Sequence, residues 1–371
     1  MPDARTYPVC RQAMAAAVIA AVALVSALAN SPAAIAVTAA PADPASSVVR
    51  IAGSDWVMDA PTKVAAARGY FNASGYAGPR IEASYHASGR DALAALLRDE
   101  VDYALSAPTP VARALLDHLD RPDRHPAIVV LASLGISGAS HYIIARRDRG
   151  IEQPTDLAGK RLGLLKQSSA HFSWSLLEGL YGLEEGSVVL VNLPVQEQAA
   201  ALAAGQVDAV LSWDPYARQL RESLGEQAVV FSNREVASPN WLLVSRLAEM
   251  RSRPQVAERV LEGYRKAVEL VDADPAQAAQ LVATESPAGP TELDLAGAGL
   301  FWNLTLNWAV LSNLEEQMHW WRRIDGARGR PVAAPASYLW AAPLQAVAPE
   351  AVVLPDHLLR HPGAGGGPVH R

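Results

Sequence analysis

Cysteine is almost missing from this chain: Cys10 is the only one in 371 residues, and it stands before the apolar stretch 13–29 rather than after it. A cysteine that takes up lipid at a cleavage point follows such a stretch, so Cys10 does not fit that role. Once the N-terminal segment is removed, no disulfide, thiolate nucleophile or cysteine metal site is left. Charge is sparse as well, at 19% of residues with a net of −6. No basic cluster is interleaved with aromatics, which argues against nucleic acid and against an anionic membrane face as partners. After residue 29 no apolar run approaches the length of a membrane span. Walker loops, dinucleotide fingerprints and His-Glu-x-x-His are all absent. The nearest approach to a nucleophile elbow, Gly135-Ile136-Ser137-Gly138-Ala139, fails at its last position. His171 has no second ligand at metal spacing. The sequence therefore indicates no enzyme class, no cofactor and no metal.

What is present begins with Arg5 and Arg11, the uncharged run 13–29 and the small-residue sites Ala27-Leu28-Ala29 and Ala34-Ile35-Ala36. These read as a secretory signal over 1–36, with a retained membrane anchor as the alternative. An Ala/Pro/Ser-rich leader follows at 37–47, and a disordered tail is expected over 356–371, Gly/Pro-rich from 361. The body between them is larger than one core usually holds, so two lobes are expected.

Along that body, strand patterns at 48–52, 81–85, 103–105 and 127–134 alternate with helical ones at 61–68, 90–98 and 111–119. A crossing near 137–141 leads into strands 141–145, 161–165, 188–192, 209–211 and 228–231, interleaved with helices 172–181, 197–204 and 215–223. The chain returns through 233–240 to a strand at 241–244 and helices at 255–271 and 275–282. The rest, through Trp302, Trp308 and 315–323, reads as helical packing. Such alternation argues for βαβ units and a mostly parallel sheet. Lobe 1 is thus expected over 48–138 and 236–355, and lobe 2 over 139–235.

The most informative stretch is Val207-Asp208-Ala209-Val210-Leu211-Ser212-Trp213-Asp214-Pro215-Tyr216, entered from a helix stopped at Gly205. It reads as a strand ending in a Trp-Asp-Pro turn, with Pro215 placed to start a helix. Open α/β sheets put their ligands at such carboxyl ends. A similar phrase, Asp102-Tyr103-Ala104-Leu105-Ser106-Ala107-Pro108-Thr109-Pro110, occurs earlier in the chain. Two facing mouths suggest a clamp.

Four phrases then fall in one family's order and spacing: Ala66-Ala67-Arg68-Gly69-Tyr70-Phe71, Asp156-Leu157-Ala158-Gly159-Lys160-Arg161-Leu162-Gly163, Gly205-Gln206-Val207-Asp208-Ala209 and Trp213-Asp214-Pro215. Over most of 49–354 the chain resembles the periplasmic solute-binding proteins of ABC importers for nitrate, aliphatic sulfonates and taurine, a family that also includes binders of thiamin-pyrimidine precursors. The resemblance implies the α/β, two-lobe periplasmic binding protein fold of type II, with a ligand cleft between lobes joined by two crossing segments. It also implies a soluble periplasmic monomer that closes on a small-molecule ligand and hands it to a membrane permease with a cytoplasmic ATPase. A protein feeding a membrane sensor would look the same.

Carried onto this chain, the resemblance points to the loops at the strand ends. Ser168 and Ser169 offer hydroxyls and amides at a helix N-terminus, an anion site or a plain N-cap. His171 stands in the first turn of that helix. Trp56 and Met58 follow the first strand and serve either the cleft or the core. Ser106 and Thr109 can present hydroxyls to an oxyanion. Trp213 can cover an apolar or ring portion, and Asp214 either accepts from an amine or caps the next helix. Asn240, beside Trp241, lies at the return crossing, and His141 with Tyr142 at the outgoing one. Trp56, Phe172, Trp174, Trp213 and Trp241 together give a cleft more aromatic than nitrate requires, so the expected ligand is a sulfonate-like organic anion.

Overall fold

The computed structural model describes residues 48–72, 78–138, 140–234, 239–285, 295 and 299–359. The expected signal and leader, and the tail from 360, lie outside the described residues, as do Ala139 and 235–238 of the two crossings.

The chain builds β1 (Val48–Ser54), α1 (Ala60–Ala67), β2 (Arg80–His86), α2 (Gly89–Leu97), β3 (Tyr103–Ser106), α3 (Pro108–Asp120) and β4 (Ile128–Ser137). It leaves through β5 (Tyr142–Arg146) for β6 (Arg161–Leu164), α4 (Ser169–Leu180), β7 (Val189–Asn192), α5 (Gln198–Ala203), β8 (Ala209–Ser212), α6 (Tyr216–Leu224) and β9 (Ala228–Ser232). It comes back through β10 (Asn240–Arg246), α7 (Leu247–Ser252), α8 (Pro254–Ala273), α9 (Pro275–Glu285), β11 (Leu300–Asn307), α10 (Trp308–Ile324) and β12 (Val352–Val353). The outcome is a seven-stranded sheet, β12-β11-β4-β10-β3-β1-β2, and a five-stranded sheet, β7-β6-β8-β5-β9.

Both sheets are mixed rather than mostly parallel. The βαβ units behave as the alternation predicts, since β1 runs parallel to β2 and β3, and β6 to β7 and β8. The strands that follow a crossing do not: β5 is antiparallel to β8 and β9, and β10 to β3 and β4. A strand arriving from the other sheet is not bound to the crossover helix that makes sequential strands parallel.

A second difference lies at 300–307, expected to be helical. This segment is β11, antiparallel to β4. Leu300, Trp302, Leu304 and Leu306 recur every second residue, which is a strand period. Asn307 ends the strand and caps α10, its Oδ1 accepting from Ala309 N at 3.0 Å and Val310 N at 3.3 Å. Residues 356–359, expected in the tail, form a helical turn, Asp356–Leu359.

The core follows from the periodicities. In α8, Pro254 occupies the first turn, where its missing N–H costs nothing, and Val256, Val260, Leu261, Tyr264, Ala267, Val268 and Val271 form one buried stripe. Gly263 lies in that stripe because Phe71 is pressed on it: a Cβ there would stand 2.5 Å from Phe71 Cδ1. The Phe71 ring meets Tyr264 edge-on at 5.1 Å. Among the described residues no helix is long and apolar enough to cross a membrane.

Gly263→Ala should lower stability by up to about 2 kcal/mol in urea titration. Overpacking costs roughly 1–3 kcal/mol, against the ~1 kcal/mol that alanine gains over glycine inside a helix. A raised midpoint would show that Phe71 swings aside.

Candidate functional site

A small cavity lies where the carboxyl ends of strands from both sheets meet, lined by Trp56, Arg90, His141, Ser169, Trp213 and Trp241 among others. Its walls come from three helix N-termini. Ser88, Gly89 and Arg90 open α2, Ala107 and Pro110 belong to the start of α3, and Ser168 and Ser169 open α4. The first N–H groups of a helix have no partner within it; Pro108 and Pro110 leave α3 fewer of them than α2 and α4, while the three macrodipoles place partial positive charge on the same space. Ser88 and Ser168 are N-caps, accepting from Asp91 N and Ala170 N at 3.2 Å each. Arg90 adds a full positive charge and donates to the Lys166 carbonyl at 2.8 Å.

Aromatic rings close the remaining sides. Trp56 meets Trp241 edge-on at 4.7 Å and His141 at 6.3 Å, and His141 meets Trp213 edge-on at 6.0 Å. Trp241 is anchored from behind, Nε1 donating to Asp59 Oδ1 at 2.9 Å. Asp59 also accepts from Ser54 N at 2.5 Å and Thr62 Oγ1 at 2.6 Å, and its Oδ2 occupies the space a Cβ at Gly53 would need. Gly89 is equally constrained, since a Cβ there would meet the Trp241 ring at 2.5 Å. The Trp213 indole N–H is buried and has no hydrogen-bond partner among the described residues.

The sequence candidates therefore divide. Trp56, Ser168, Ser169 and Trp213 line the cavity. Met58 is fully buried and packs beside Gly135 instead. Ser106 and Thr109 are struts: Ser106 Oγ donates to Gly89 O at 2.9 Å, and Thr109 Oγ1 donates to Gln317 Oε1. Asp214 Oδ1 accepts from Arg218 N at 3.0 Å and lies 3.6 Å from Arg221, so it serves α6. Asn240 spans to Ser133 and to Asn313 of α10. His171 stacks edge-on against Trp320 of α10 at 5.1 Å, and Phe172 meets the same ring at 5.5 Å. Trp174 is a core residue. Ala107 and Pro110 belong to the second mouth that the sequence marks, whereas Ser88, Gly89 and Arg90 lie outside both mouths. The helix-start pattern Ser88-Gly89-Arg90-Asp91 was the available signal.

His141 belongs to a buried cluster at the two crossings. Asn233 Oδ1 accepts from the backbone N–H of Ser140 at 3.1 Å and of His141 at 3.0 Å. His141 Nδ1 lies 2.8 Å from Ser140 Oγ and its Nε2 3.0 Å from Ser169 Oγ. Among the described residues no three His, Cys, Asp or Glu side chains gather as a metal would need.

Burial governs the titrations. It lowers the His141 imidazole to about 3, and burial together with Lys166 lowers His171 to about 4. Both rings are neutral near pH 7. Unfolding restores a pKa near 6.5, so the unfolded chain takes up protons first and stability falls as pH drops below about 6.5. Burial raises the Asp59 carboxyl to about 6. It opposes part of that fall, because its contribution grows as pH drops through 6. The C2–H signals of His141 and His171 should therefore hold still between pH 5 and 8, while the urea midpoint declines from pH 7 to pH 5. A midpoint near 6.5 for either ring would mean that it reaches water.

Comparison with known proteins adds the following. The NMT1/THI5-like family model matches residues 58–278. A Bacillus subtilis (strain 168) protein named for binding aliphatic sulfonates is 26% identical over 212 residues, 56% of this chain and 61% of that one. The chain thus spans about three-fifths of the length of the curated relative it matches. Among solved structures, the alkanesulfonate-binding protein SsuA from Xanthomonas axonopodis pv. citri, bound to MOPS, superposes with a TM-score of 0.66 at 19% identity, covering 81% of this chain and 100% of that one. The periplasmic nitrate-binding protein NrtA from Synechocystis PCC 6803 gives 0.59 at 13% identity, covering 87% and 93%. A cysteine-to-serine mutant of DSZB, in complex with biphenyl-2-sulfinic acid, gives 0.55 at 18%, covering 82% and 99%. The fold is the two-lobe one of type II periplasmic binding proteins, and desulfurization enzyme DSZB shares it. With the family model matching more than half of its length, the chain belongs to the NMT1/THI5-like family.

Proposed function

We propose that this protein is the extracytoplasmic solute-binding component of an ABC importer. It captures a small, sulfonate-like organic anion between two lobes, 48–138 with 236–355 on one side and 139–235 on the other. It acts as a binder, not a catalyst, and delivers its ligand to a membrane permease driven by a cytoplasmic ATPase. Residues 1–36 serve as the signal that sends it to the periplasm.

One observation carries the reading: three helix N-termini and Arg90 surround a small cavity whose buried Trp213 N–H has no acceptor among the described residues. A buried donor left unmet costs about 1–3 kcal/mol. An anionic oxygen satisfies it and is stabilised by the helix ends at once. The relatives named for sulfonates and nitrate support the same ligand class. The rings of Trp56, Trp213 and Trp241 favour an anion with an organic portion. Contacts already bridge the two sheets, from Arg90 to Lys166 and from Trp320 to His171 and Phe172. Closure about a ligand adds to contacts of this kind.

Alkanesulfonates should raise the melting temperature of the protein, and calorimetry should give saturable one-to-one binding. Trp213→Phe should weaken that binding about ten- to hundredfold, in line with a charge-assisted hydrogen bond of ~1.5–3 kcal/mol, while the melting temperature of the free protein moves little. Unchanged affinity would remove the indole N–H from the site.

A further inference from the structure

The cluster at the crossings fixes a direction of hydrogen bonding. Two backbone donors, Ser140 N and His141 N, end on one side-chain atom of Asn233, so that atom is the amide oxygen. The amide nitrogen of Asn233 then faces Ser140 Oγ at 3.1 Å, Ser173 Oγ at 3.3 Å and His141 Nδ1 at 3.3 Å. Ser173 Oγ itself lies 3.3 Å from His141 Nδ1. Two amide protons and two hydroxyl protons thus share three acceptor atoms: the two hydroxyl oxygens and Nδ1. A proton on Nδ1 would be a fifth: it would face the amide N–H, compete with it for the two hydroxyl oxygens and leave neither hydroxyl proton an acceptor within the cluster.

We infer that Asn233 holds His141 in the tautomer protonated on Nε2, so that His141 donates to Ser169 Oγ and turns the Ser169 hydroxyl proton toward the cavity. The relay runs from the Asn233 amide through Ser140 O–H to His141 Nδ1, and from His141 Nε2–H to Ser169 and the ligand. The neutrality of His141 is consistent with it, since burial keeps the ring from taking a second proton. The other lining hydroxyls have their protons engaged: Ser88 Oγ donates to Asp91 and accepts from its N–H, and Ser168 Oγ donates to Leu165 O while accepting from Ala170 N. With Ser169 polarised outward, Ser169 is the lining hydroxyl that presents its proton to a ligand. A ligand oxygen that carries no proton fits that position, and one that keeps an O–H is disfavoured there. Asn233 and His141 are positioning residues for that selectivity. The same polarity denies Ser169 a base, because the ring nitrogen facing it is protonated.

This inference rests on the anion-binding function proposed above, and the test separates the two. In the ligand-free protein, nitrogen-15 spectra should show His141 with Nε2 protonated and Nδ1 bare; the reverse assignment overturns the relay with no ligand involved. Calorimetry at about pH 5.5 then compares methanesulfonate with methylphosphonate, equal in charge there but differing by one P–OH. The wild-type protein should prefer the sulfonate at least tenfold. Asn233→Asp replaces the donor at Nδ1 with an acceptor and so puts a proton on Nδ1, which the variant's nitrogen-15 spectra should show. Ser169→Ala should weaken both ligands and keep the preference, since it creates no acceptor. Nδ1 still bare in Asn233→Asp marks a merely structural role and overturns the inference. Should that variant fail to fold, the wild-type spectra and the wild-type preference still decide. If neither anion binds, the importer function fails; if methanesulfonate binds without preference, that function stands and the relay falls.

Discussion

Two backbone N–H groups from one crossing end on a single side-chain oxygen from the other, Oδ1 of Asn233. Asn233 N in turn donates to His141 O at 3.1 Å, so the two segments joining the sheets are tied in both directions at one point. Everything that makes the pocket hangs from that tie. His141 places its ring between Trp56 and Trp213, one from each sheet, and its Nε2 reaches the first residue of α4. A loosened tie would free the ring and the helix end together.

The electrostatic character of the site is built mostly from backbone. Arg90 is the one cationic side chain among the lining residues, and it is partly committed to the Lys166 carbonyl. Helix ends carry the remaining positive potential, a fixed arrangement that needs no side-chain ordering when the ligand arrives. The acidic groups nearby have partners of their own: Asp91 accepts from Ser88 and lies 3.6 Å from Arg90, Asp59 is saturated by three donors behind Trp241, and Asp214 accepts from α6. An acidic protein thereby presents an anion-attracting pocket.

Much of this was legible in the sequence. Strand and helix periods gave the order of elements, and the Trp-Asp-Pro turn marked a mouth. Less legible was which neighbour in a turn faces the cavity. Trp56 lines it and Met58, two residues on, fills the space beside Gly135; only the tertiary position of β4 decides between them. Ser106 and Thr109 looked like ligand hydroxyls, yet their partners are Gly89 and Gln317, the latter 208 residues away. Asn233 reads as an ordinary loop residue because Ser140 is 93 positions distant. The β11 alternation was present in the sequence but was outweighed by the helical pattern that follows it from Trp308.

The close edge-on packing of Trp56 and Trp241, at 4.7 Å and 79°, has a spectroscopic consequence. Two indoles so near and so steeply inclined couple their electronic transitions, which gives a near-ultraviolet circular dichroism signal set by their mutual angle. One ring is bolted to Asp59 and the other borders the cavity beside His141, so a small rotation of Trp56 changes that angle without disturbing the fold. The pocket contains its own chiroptical gauge, needing no attached dye.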